Sequence, residues 1–386
     1  MHVVHAPEDL PDPCRASLFL SGPRQSNHPG TSWRSEALLL LRKLGYAGAV
    51  IIPQPRDECY RPDYFNWEAD MRARADLILF WVPLEEGTTA PNRVDLDFGE
   101  GFDGCRYLYG RPAHAFACAT LDARWRAVTG CEPCDSLPDL LTASLKLIGA
   151  GAERRGTERD VPLAIWLSRP FTEWYTLLNA AGHLLRNFRL CYALPFGSRH
   201  PTSQLFGFLA SASVAVAGEN RTKSNEIFLA RPDTVAVLPI FDAGGPEAEI
   251  FLVREYRLAV CNTSGFVVEP PGGSSRKEHL PPRAIALEEL AEELGLDVAP
   301  ARLIAIGSRQ SASTLCSHHT HLFALALNRK EAVKLRRLAS SGRVLGADSE
   351  ERVRVIRQQL SAPLDPCLDW ASLGLIATAA GSITGL

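Results

Sequence analysis

Apolar and polar positions follow two alternating patterns along the first 150 residues. Short apolar runs predict buried strands at 17–21, 49–52, 76–82 and 115–119. Segments with helical signals lie between or after them, at 32–44, 66–75, 94–101 and 138–148. Strands separated by helices are typical of a doubly wound parallel sheet, because parallel strands need a long crossover connection. We therefore predict an α/β domain with a parallel sheet over residues 1–150.

A different pattern marks a helix near residue 290. Leu287, Leu290 and Leu294 form an apolar stripe at helical spacing. Pro281-Pro282 suits the first turn of such a helix, and Gly295 suits its C-terminal cap. The stripe predicts that one face of the helix packs on a core.

The stretch 149–160 is rich in glycine and charge, which favours a linker. We therefore divide the 386-residue chain into a first domain at 1–150, a connecting segment at 151–224 and a second domain at 225–386. The segment 166–185 is rich in aromatic residues and predicts a helix, but its role stays open.

The amino-acid composition argues against a nucleic-acid-binding protein and against a membrane protein. The chain is 46% hydrophobic and 22% charged, as expected for a globular protein. Its formal net charge of −3 argues against a nucleic-acid partner. The longest apolar stretch, 205–217, is too short to cross a bilayer, and residues 1–13 lack the apolar core of a signal peptide. With ten irregularly spaced cysteines, we expect free thiols and a cytoplasmic location.

Three acids share one face of the predicted helix. Glu289, Glu292 and Glu293 have the spacing i, i+3, i+4, which places their carboxylates together. Like charges this close repel unless a cation lies between them, and Mg²⁺ prefers carboxylate oxygens. The alternative is an ordinary solvated acidic face.

The residues around these acids resemble the Nudix box. Glu289-Leu290, Glu292-Glu293 and Gly295-Leu296 match its second half, after the glycine pair Gly272-Gly273. The family arginine is replaced by Glu288, and Leu280 stands where a glutamate is expected. The half that binds metal is kept, and the half that braces the loop is altered.

The flanking sequence is similar to that of ADP-ribose pyrophosphatases of this family. The similar segments are the strand at 250–260, the run Glu269-Pro270-Pro271-Gly272-Gly273 and the strands at 302–327. The resemblance implies an α/β/α sandwich with a mixed sheet, and Mg²⁺ or Mn²⁺ as the cofactor. It implies that Glu289, Glu292 and Glu293 bind the metal and that Glu292 and Glu293 take part in catalysis. It also places Arg254, Arg257 and Gly273 at the substrate.

Polar residues follow the first buried strand of the N-terminal domain. Ser21, Gly22 and Arg24 come where that strand ends, and ligands of open parallel sheets bind at the carboxyl ends of strands. These residues are therefore candidates to meet a sugar or a phosphate. A plain strand-to-helix turn explains them equally well.

Carboxylates also occur near the ends of these strands, at Glu68, Asp95 and Asp97. Paired carboxylates suit chemistry at the anomeric carbon of a sugar, where one attacks and another assists the leaving group. For Asp95 and Asp97 the alternative is a helix start, where acids are favoured by the helix dipole.

The order of these segments resembles the nucleoside 2-deoxyribosyltransferase superfamily. The matching segments are Phe19-Leu20-Ser21-Gly22-Pro23, Ser32-Trp33-Arg34, Pro53 to Asp57, Trp67-Glu68, Ala75-Asp76 and Asp97-Phe98-Gly99. The resemblance makes Asp97 the nucleophile, in place of the family's longer glutamate, and Glu68 a second acid near the ribose. A shorter carboxylate has less reach toward the carbon that it attacks.

One further run has metal-ligand residue types, from Cys316 to His321. On a strand, His319 and His321 point to one face and His318 to the other. We interpret the run as a strand beside the nucleotide pocket, with a transition-metal site as the alternative.

Together these features predict a nucleotide-processing hydrolase with a small-molecule nucleotide or nucleoside substrate and with neither nucleic acid nor membrane as partner. The second domain would cleave an ADP-ribose-like diphosphate, and the first would act on an N-glycosidic bond. The alternative is a nucleotide sensor without turnover, because both catalytic signatures are altered. Members of both families commonly assemble, so the resemblance implies a homo-oligomer.

Overall fold

The chain forms two compact units of mixed α/β structure. The computed structural model describes residues 1–23, 32–57, 59, 61–83, 106–115, 118–196, 204–274, 280–346 and 352–384. The two units are Met1–Arg231 and Pro232–Leu386. Each unit has its own sheets and its own buried core, which confirms the predicted α/β class. The helix predicted at 94–101 lies outside the described residues.

A five-stranded parallel sheet forms the centre of the first unit. Its strands are β1 (His2–Ala6), β2 (Ser17–Ser21), β3 (Ala49–Pro55), β4 (Leu77–Trp81) and β5 (Tyr107–Gly110), in the order β1-β3-β2-β4-β5. Its helices are α1 (Trp33–Lys43), α2 (Tyr64–Arg74), α3 (Ala119–Thr129) and α4 (Leu137–Ile148). Apolar residues are buried on both faces of the sheet, as a doubly wound fold requires.

Two strands differ from the sequence prediction. The strand expected at 115–119 is wrong, because Ala119 begins α3 and the fifth strand is Tyr107–Gly110. This strand has only four residues, all buried, so it gives a weak periodic signal. β1 was not predicted, because two of its five residues are histidines and it pairs only at the sheet edge, with β3.

The segment 151–224 is folded into the first unit and is not a linker. It contains a 3₁₀ helix, two α-helices and most of an antiparallel sheet: Gly156–Asp160, α5 (Leu163–Trp166), α6 (Arg169–Ala180), β6 (Leu184–Pro195), β7 (Leu205–Ala215) and β8 (Thr222–Lys223), with β9 (Ile227–Ala230) following. Phe171, Phe188 and Phe208 form the centre of its core. The aromatic residues noted in the sequence are therefore core residues.

A buried ion pair fixes this segment to the parallel sheet. Arg154 and Asp76 have side chains that are only 1% exposed, and two N–H groups of Arg154 donate to Asp76 at 2.7 and 2.6 Å. The Asp76 carboxylate also accepts from the backbone N–H groups of Ser17 (2.8 Å) and Leu163 (2.6 Å). One carboxylate thus connects the starts of β2, β4 and α5 with the segment after α4. The glycine and charge content of 149–160 marks this connection and not a flexible hinge.

A mixed sheet with helices on both faces forms the second unit. Its strands are β10 (Thr234–Phe241), β11 (Glu249–Tyr256), β12 (Phe266–Glu269), β13 (Gly272–Gly273), β14 (Leu303–Arg309), β15 (Thr320–Ala326), β16 (Val344–Leu345) and β17 (Val353–Gln359). The main order is β14-β15-β10-β11-β17-β16, with β12 paired to β11 and β13 to β10. Among the strands that the structure describes in this unit, β10 and β15 are the parallel pair.

Three helices cover this sheet: α7 (Pro282–Leu294), α8 (Arg329–Ser341) and α9 (Trp370–Thr384). One face packs on α7 and α8 through residues such as Leu290, Leu294 and Leu335. The other face packs on α9 through Ile376 and Ala379. The second unit is therefore an α/β/α sandwich with a mixed sheet, as predicted. In the part of the chain that the structure describes, no helix has both the length and the apolarity needed to span a bilayer.

Arg154→Met should destabilise the first unit strongly. Removing one member of a buried ion pair leaves the other charge uncompensated, which costs about 3 to 5 kcal/mol. Urea unfolding followed by tryptophan fluorescence measures this change. Arg155→Met is the matched control, because Arg155 is exposed and forms its ion pair with Glu153, which is also exposed. Similar stability of the two variants would contradict the structural role of Arg154.

Candidate active site

A strand of two glycines lies against α7 in the second unit. Gly272 and Gly273 pair with Ala236 and Val235 of β10. A Cβ on Gly272 would lie 2.1 Å from the carbonyl oxygen of Val235, and one on Gly273 would lie 2.4 Å from Glu289 Oε1. Gly272 has no room for a side chain, because the atom that it approaches is backbone, whereas a side chain at Gly273 would displace the Glu289 carboxylate. The Glu289 carboxylate therefore lies directly against the backbone.

Glu293 reaches the same strand from one helical turn further along. Its Oε2 accepts a hydrogen bond from the backbone N–H of Gly272 at 2.9 Å. Burial raises the pKa of Glu293 well above its ordinary value of 4.5, and the negative charge of Glu289 raises it further. Glu269 and Glu255 add to the rise, while the Gly272 N–H opposes it. The site thus concentrates negative charge where water solvates it poorly.

Two more carboxylates and one arginine complete this cluster. Arg257 contacts Glu255 Oε2 at 2.8 Å and Glu269 Oε1 at 2.9 Å. Burial by itself lowers the pKa of Arg257, but Glu269 and Glu255 outweigh it and raise the pKa. Glu255 was not predicted as a site residue, although it stands near the end of β11, two positions before Arg257. Glu269 was noted only as part of the approach to the glycine pair.

The other predicted residues of the second unit lie at different places. Glu292 is exposed on α7. The guanidinium carbon of Arg254 lies 4.6 Å from the ring centroid of Phe266 on the paired strand β12. Of the three predicted metal ligands, Glu289 and Glu293 therefore belong to the half-buried cluster and Glu292 faces solvent.

The cluster has the donor atoms for a hard divalent cation. Carboxylate oxygens suit Mg²⁺ or Mn²⁺, and the glycine strand lets the Glu289 carboxylate approach the backbone closely. Among the described residues, no group of three or more His, Cys, Asp and Glu side chains is arranged to hold a metal ion. Glu289 and Glu293 would thus hold the ion together with water and substrate oxygens, as Mg²⁺ commonly binds.

In the first unit, the carboxyl ends of the strands are where an open parallel sheet is expected to form its ligand crevice. β3 and β4 lie on opposite sides of β2, so the direction of winding reverses at β2. Ser21 ends β2, and Gly22 follows with φ of 137°. A Cβ on Gly22 would lie 2.1 Å from the carbonyl oxygen of Trp81, where β4 ends. Gly22 thus lets the chain turn away from β2 close beside β4.

An acid and an arginine from α2 lie beside this crevice. Arg72 Nη2 donates to Glu68 Oε1 at 2.9 Å and is 3.4 Å from Ser21 Oγ. Glu68 is only 9% exposed. The structure therefore brings together Ser21, Gly22 and Glu68, three of the predicted residues. Arg72 was not predicted, although its position four residues after Glu68 on one helix was the available signal. Arg24 and Asp97 lie outside the described residues.

Comparison with known proteins gives a weak result. No protein-family model matches the chain, and no curated protein matches it. Among solved structures, the chain is similar to an ADP compounds hydrolase at 15% identity and a TM-score of 0.33, over 52% of this chain and 97% of that one. Similarity at this level assigns neither a fold nor an activity to this chain.

Glu293→Gln should stabilise the second unit at neutral and alkaline pH. The folded-state pKa of Glu293 is raised, so the folded state binds this proton more tightly than the unfolded state does. Stability is therefore lost as pH rises from about 4.5 through the raised pKa, and the loss persists above it. The uncharged glutamine removes that loss. Thermal unfolding at pH 5 and pH 8, with EDTA present, measures it.

The matched control is Glu292→Gln, a change on the exposed side of the same helix. We expect its melting temperature to follow the wild-type dependence on pH. A Glu293→Gln variant that loses stability at pH 8 would show that the carboxylate is not strained by its surroundings.

Proposed function

We propose that the second unit is a Mg²⁺- or Mn²⁺-dependent hydrolase of a nucleoside diphosphate derivative. The observation that carries this proposal is the convergence of Glu289 and Glu293 on the glycine strand, with Glu255 and Glu269 close enough to raise the pKa of Glu293. Acids crowded in a buried site raise the energy of the fold, and such strain is common where a protein binds a cation or performs chemistry.

Each residue of the cluster has a role in this mechanism. When bound, the metal would polarise the phosphate and make a coordinated water more acidic. Glu289 and Glu293 hold the ion, while the Gly272 N–H fixes the orientation of Glu293. Gly273 leaves the backbone open to close approach. Arg257, held by Glu255 and Glu269, supplies positive charge beside the phosphates.

The diphosphate would belong to a molecule like ADP-ribose. Support for this part comes from the sequence around the box. Arg254, held on the ring of Phe266, points to the face of β11 opposite to Glu255 and is therefore not part of this site.

The first unit would act on an N-glycosidic bond of a nucleoside or nucleotide. Support comes from the crevice beside β2, where Ser21, Gly22 and Glu68 lie together. Glu68 would contact the ribose, and Asp97 would be the nucleophile by resemblance. The two activities would then share a substrate class: the second unit releases a monophosphate, and the first releases its base.

A nucleotide sensor is the second candidate. It is favoured by the exposure of Glu292 and by Arg257, which already neutralises two carboxylates of the cluster. A sensor would bind a nucleotide and leave it intact.

Mass spectrometry of the products separates these functions. The full chain with Mg²⁺ is offered ADP-ribose, NAD, nucleoside triphosphates and nucleoside monophosphates. Glu289→Gln should lower the release of monophosphates at least about 100-fold. Loss of a residue that merely orients a metal ligand already costs up to about 100-fold, and Glu289 would bind the metal directly. The same variant should leave the release of free bases unchanged.

Glu68→Gln gives the reciprocal control, since it should lower the release of free bases and leave diphosphate cleavage unchanged. Equal loss of both activities in either variant would contradict two separate sites. Binding without any product, in a chain that is folded by circular dichroism, would establish the sensor instead.

A further inference from the structure

His321 and Asp233 form a hydrogen-bonded pair in the second unit. His321 Nε2 lies 2.9 Å from Asp233 Oδ2, and the backbone N–H of His319 donates to Asp233 Oδ1 at 2.7 Å. The carboxylate is thus held from both sides. A carboxylate that accepts from Nε2–H places the ring proton on that nitrogen and leaves the lone pair on Nδ1. Among the described residues, no hydrogen bond engages Nδ1 of His321, and the bond to Asp233 holds the ring in one tautomer.

The pair lies on the same face of the sheet as the carboxylate cluster. His321 pairs with Val235 across β15 and β10, and Val235 pairs with Gly273 across β10 and β13. Residues paired in this way point to the same face. Neighbouring strands are about 4.8 Å apart, so the Cα of His321 lies roughly 10 Å from that of Gly273. A diphosphate bound at Glu289 and its attacking water can span this gap.

The ring is also within reach of solvent. The side chains of His321 and Asp233 are 27% and 24% exposed. Further along β15, α7 covers the same face at Phe323, where the guanidinium of Arg283 lies 5.6 Å from the ring centroid. Helix α7 therefore covers Phe323, whereas His321, two residues earlier on the same face, is only half-buried. A histidine that served only the core would be enclosed like Phe323, which is 5% exposed.

We infer that His321 is the general base of the diphosphate hydrolysis and that Asp233 is its positioning residue. The inference rests on the proposed function of the second unit. Nδ1 of His321 takes a proton from water while the water oxygen forms a bond to phosphorus. The bond from phosphorus to the bridging oxygen breaks, and its electron pair leaves with the departing phosphate. Two monophosphate products form, and the proton on His321 returns to solvent.

The sequence hypothesis noted this histidine only as a strand residue beside the nucleotide pocket. Its partner Asp233 lies 88 positions away in the chain, so no local spacing could connect the two. The pair exists because β10 and β15 are parallel neighbours whose first residues lie side by side.

The test uses the full chain with Mg²⁺ and ADP-ribose. His321→Gln keeps an N–H that can donate to Asp233 but has no basic lone pair, so kcat should fall by at least about 100-fold while KM stays within about two-fold. His321→Ala should fall similarly, and added imidazole should restore part of its rate. Thr320→Val is the matched control, because Thr320 is the adjacent residue on the opposite face and bonds to Thr234 there.

A second measurement does not depend on activity. Nitrogen NMR of the histidine rings should show His321 as the Nε2–H tautomer in the wild-type chain, and Asp233→Asn should mix the two tautomers. Wild-type rates in His321→Gln, or no rescue by imidazole in a folded His321→Ala, would overturn the inference alone. If the wild-type chain cleaves no diphosphate at all, the proposed function fails and the inference fails with it.

Discussion

The second unit depends on one constraint: four carboxylates must share a small, poorly solvated space beside a strand that has no side chains. Like charges in such a place raise the energy of the folded state, as the raised pKa of Glu293 indicates. Two features offset part of this cost. The N–H of Gly272 donates to Glu293, and Arg257 forms ion pairs with both Glu255 and Glu269. Apolar packing adds to these, since Leu290 and Leu294 bury the opposite side of α7 in the core.

The first unit also contains a buried carboxylate, Asp76, but this one has a full set of partners. Asp76 has an arginine partner with two hydrogen bonds and two further backbone donors, so its charge is fully compensated. It also lies at the amino ends of the parallel strands, away from the edge where Ser21 ends β2. We therefore interpret Asp76 and Arg154 as structural. Around Glu293, by contrast, the carboxylates of Glu289, Glu269 and Glu255 raise the pKa of a fourth carboxylate, and this crowding of acids at the glycine strand is what makes the cluster a candidate for function.

The sequence predicted those elements whose signals are local. The helix α7, with its proline start and its glycine cap, formed as expected, because Gly295 adopts the left-handed conformation that ends it. Strands β2 and β4 were likewise found from continuous apolar runs. The elements that were missed depend on distant partners. β1 is stabilised by its pairing with β3 at the edge of the sheet. The segment 151–224 is held to the first unit by the ion pair between Arg154 and Asp76, which are 78 positions apart in the chain.

In the candidate site, too, the residues set by local spacing were predicted and those set by distant strand pairing were missed. The spacing of Glu289 and Glu293 placed both on one face of α7, and the structure brings both to the glycine pair. The same spacing also placed Glu292 in this group. Which of the three acids points toward the glycine strand depends on how α7 packs against the sheet, and the spacing does not contain that information. Glu255 and Glu269 joined the cluster through the pairing of β11 with β12, in which Val253 lies opposite Glu269. Such a register cannot be read from one sequence without knowing which strands pair.

The altered half of the Nudix-like box bears on the choice between enzyme and sensor. Where the family has a glutamate, this chain has Leu280, and the structure packs Leu280 against the same core as Leu287 and Leu290. An apolar contact thus stands where the family uses charge to brace the loop. Replacing a buried charge interaction by apolar packing is often neutral or stabilising. The altered positions therefore concern how α7 is held, whereas Glu289 and Glu293, which would hold the cation, are both retained at the glycine strand. The charged form of Glu293 lowers the stability of the fold, as its raised pKa indicates, and a cation bound between Glu289 and Glu293 would offset that cost, as the proposed hydrolase requires.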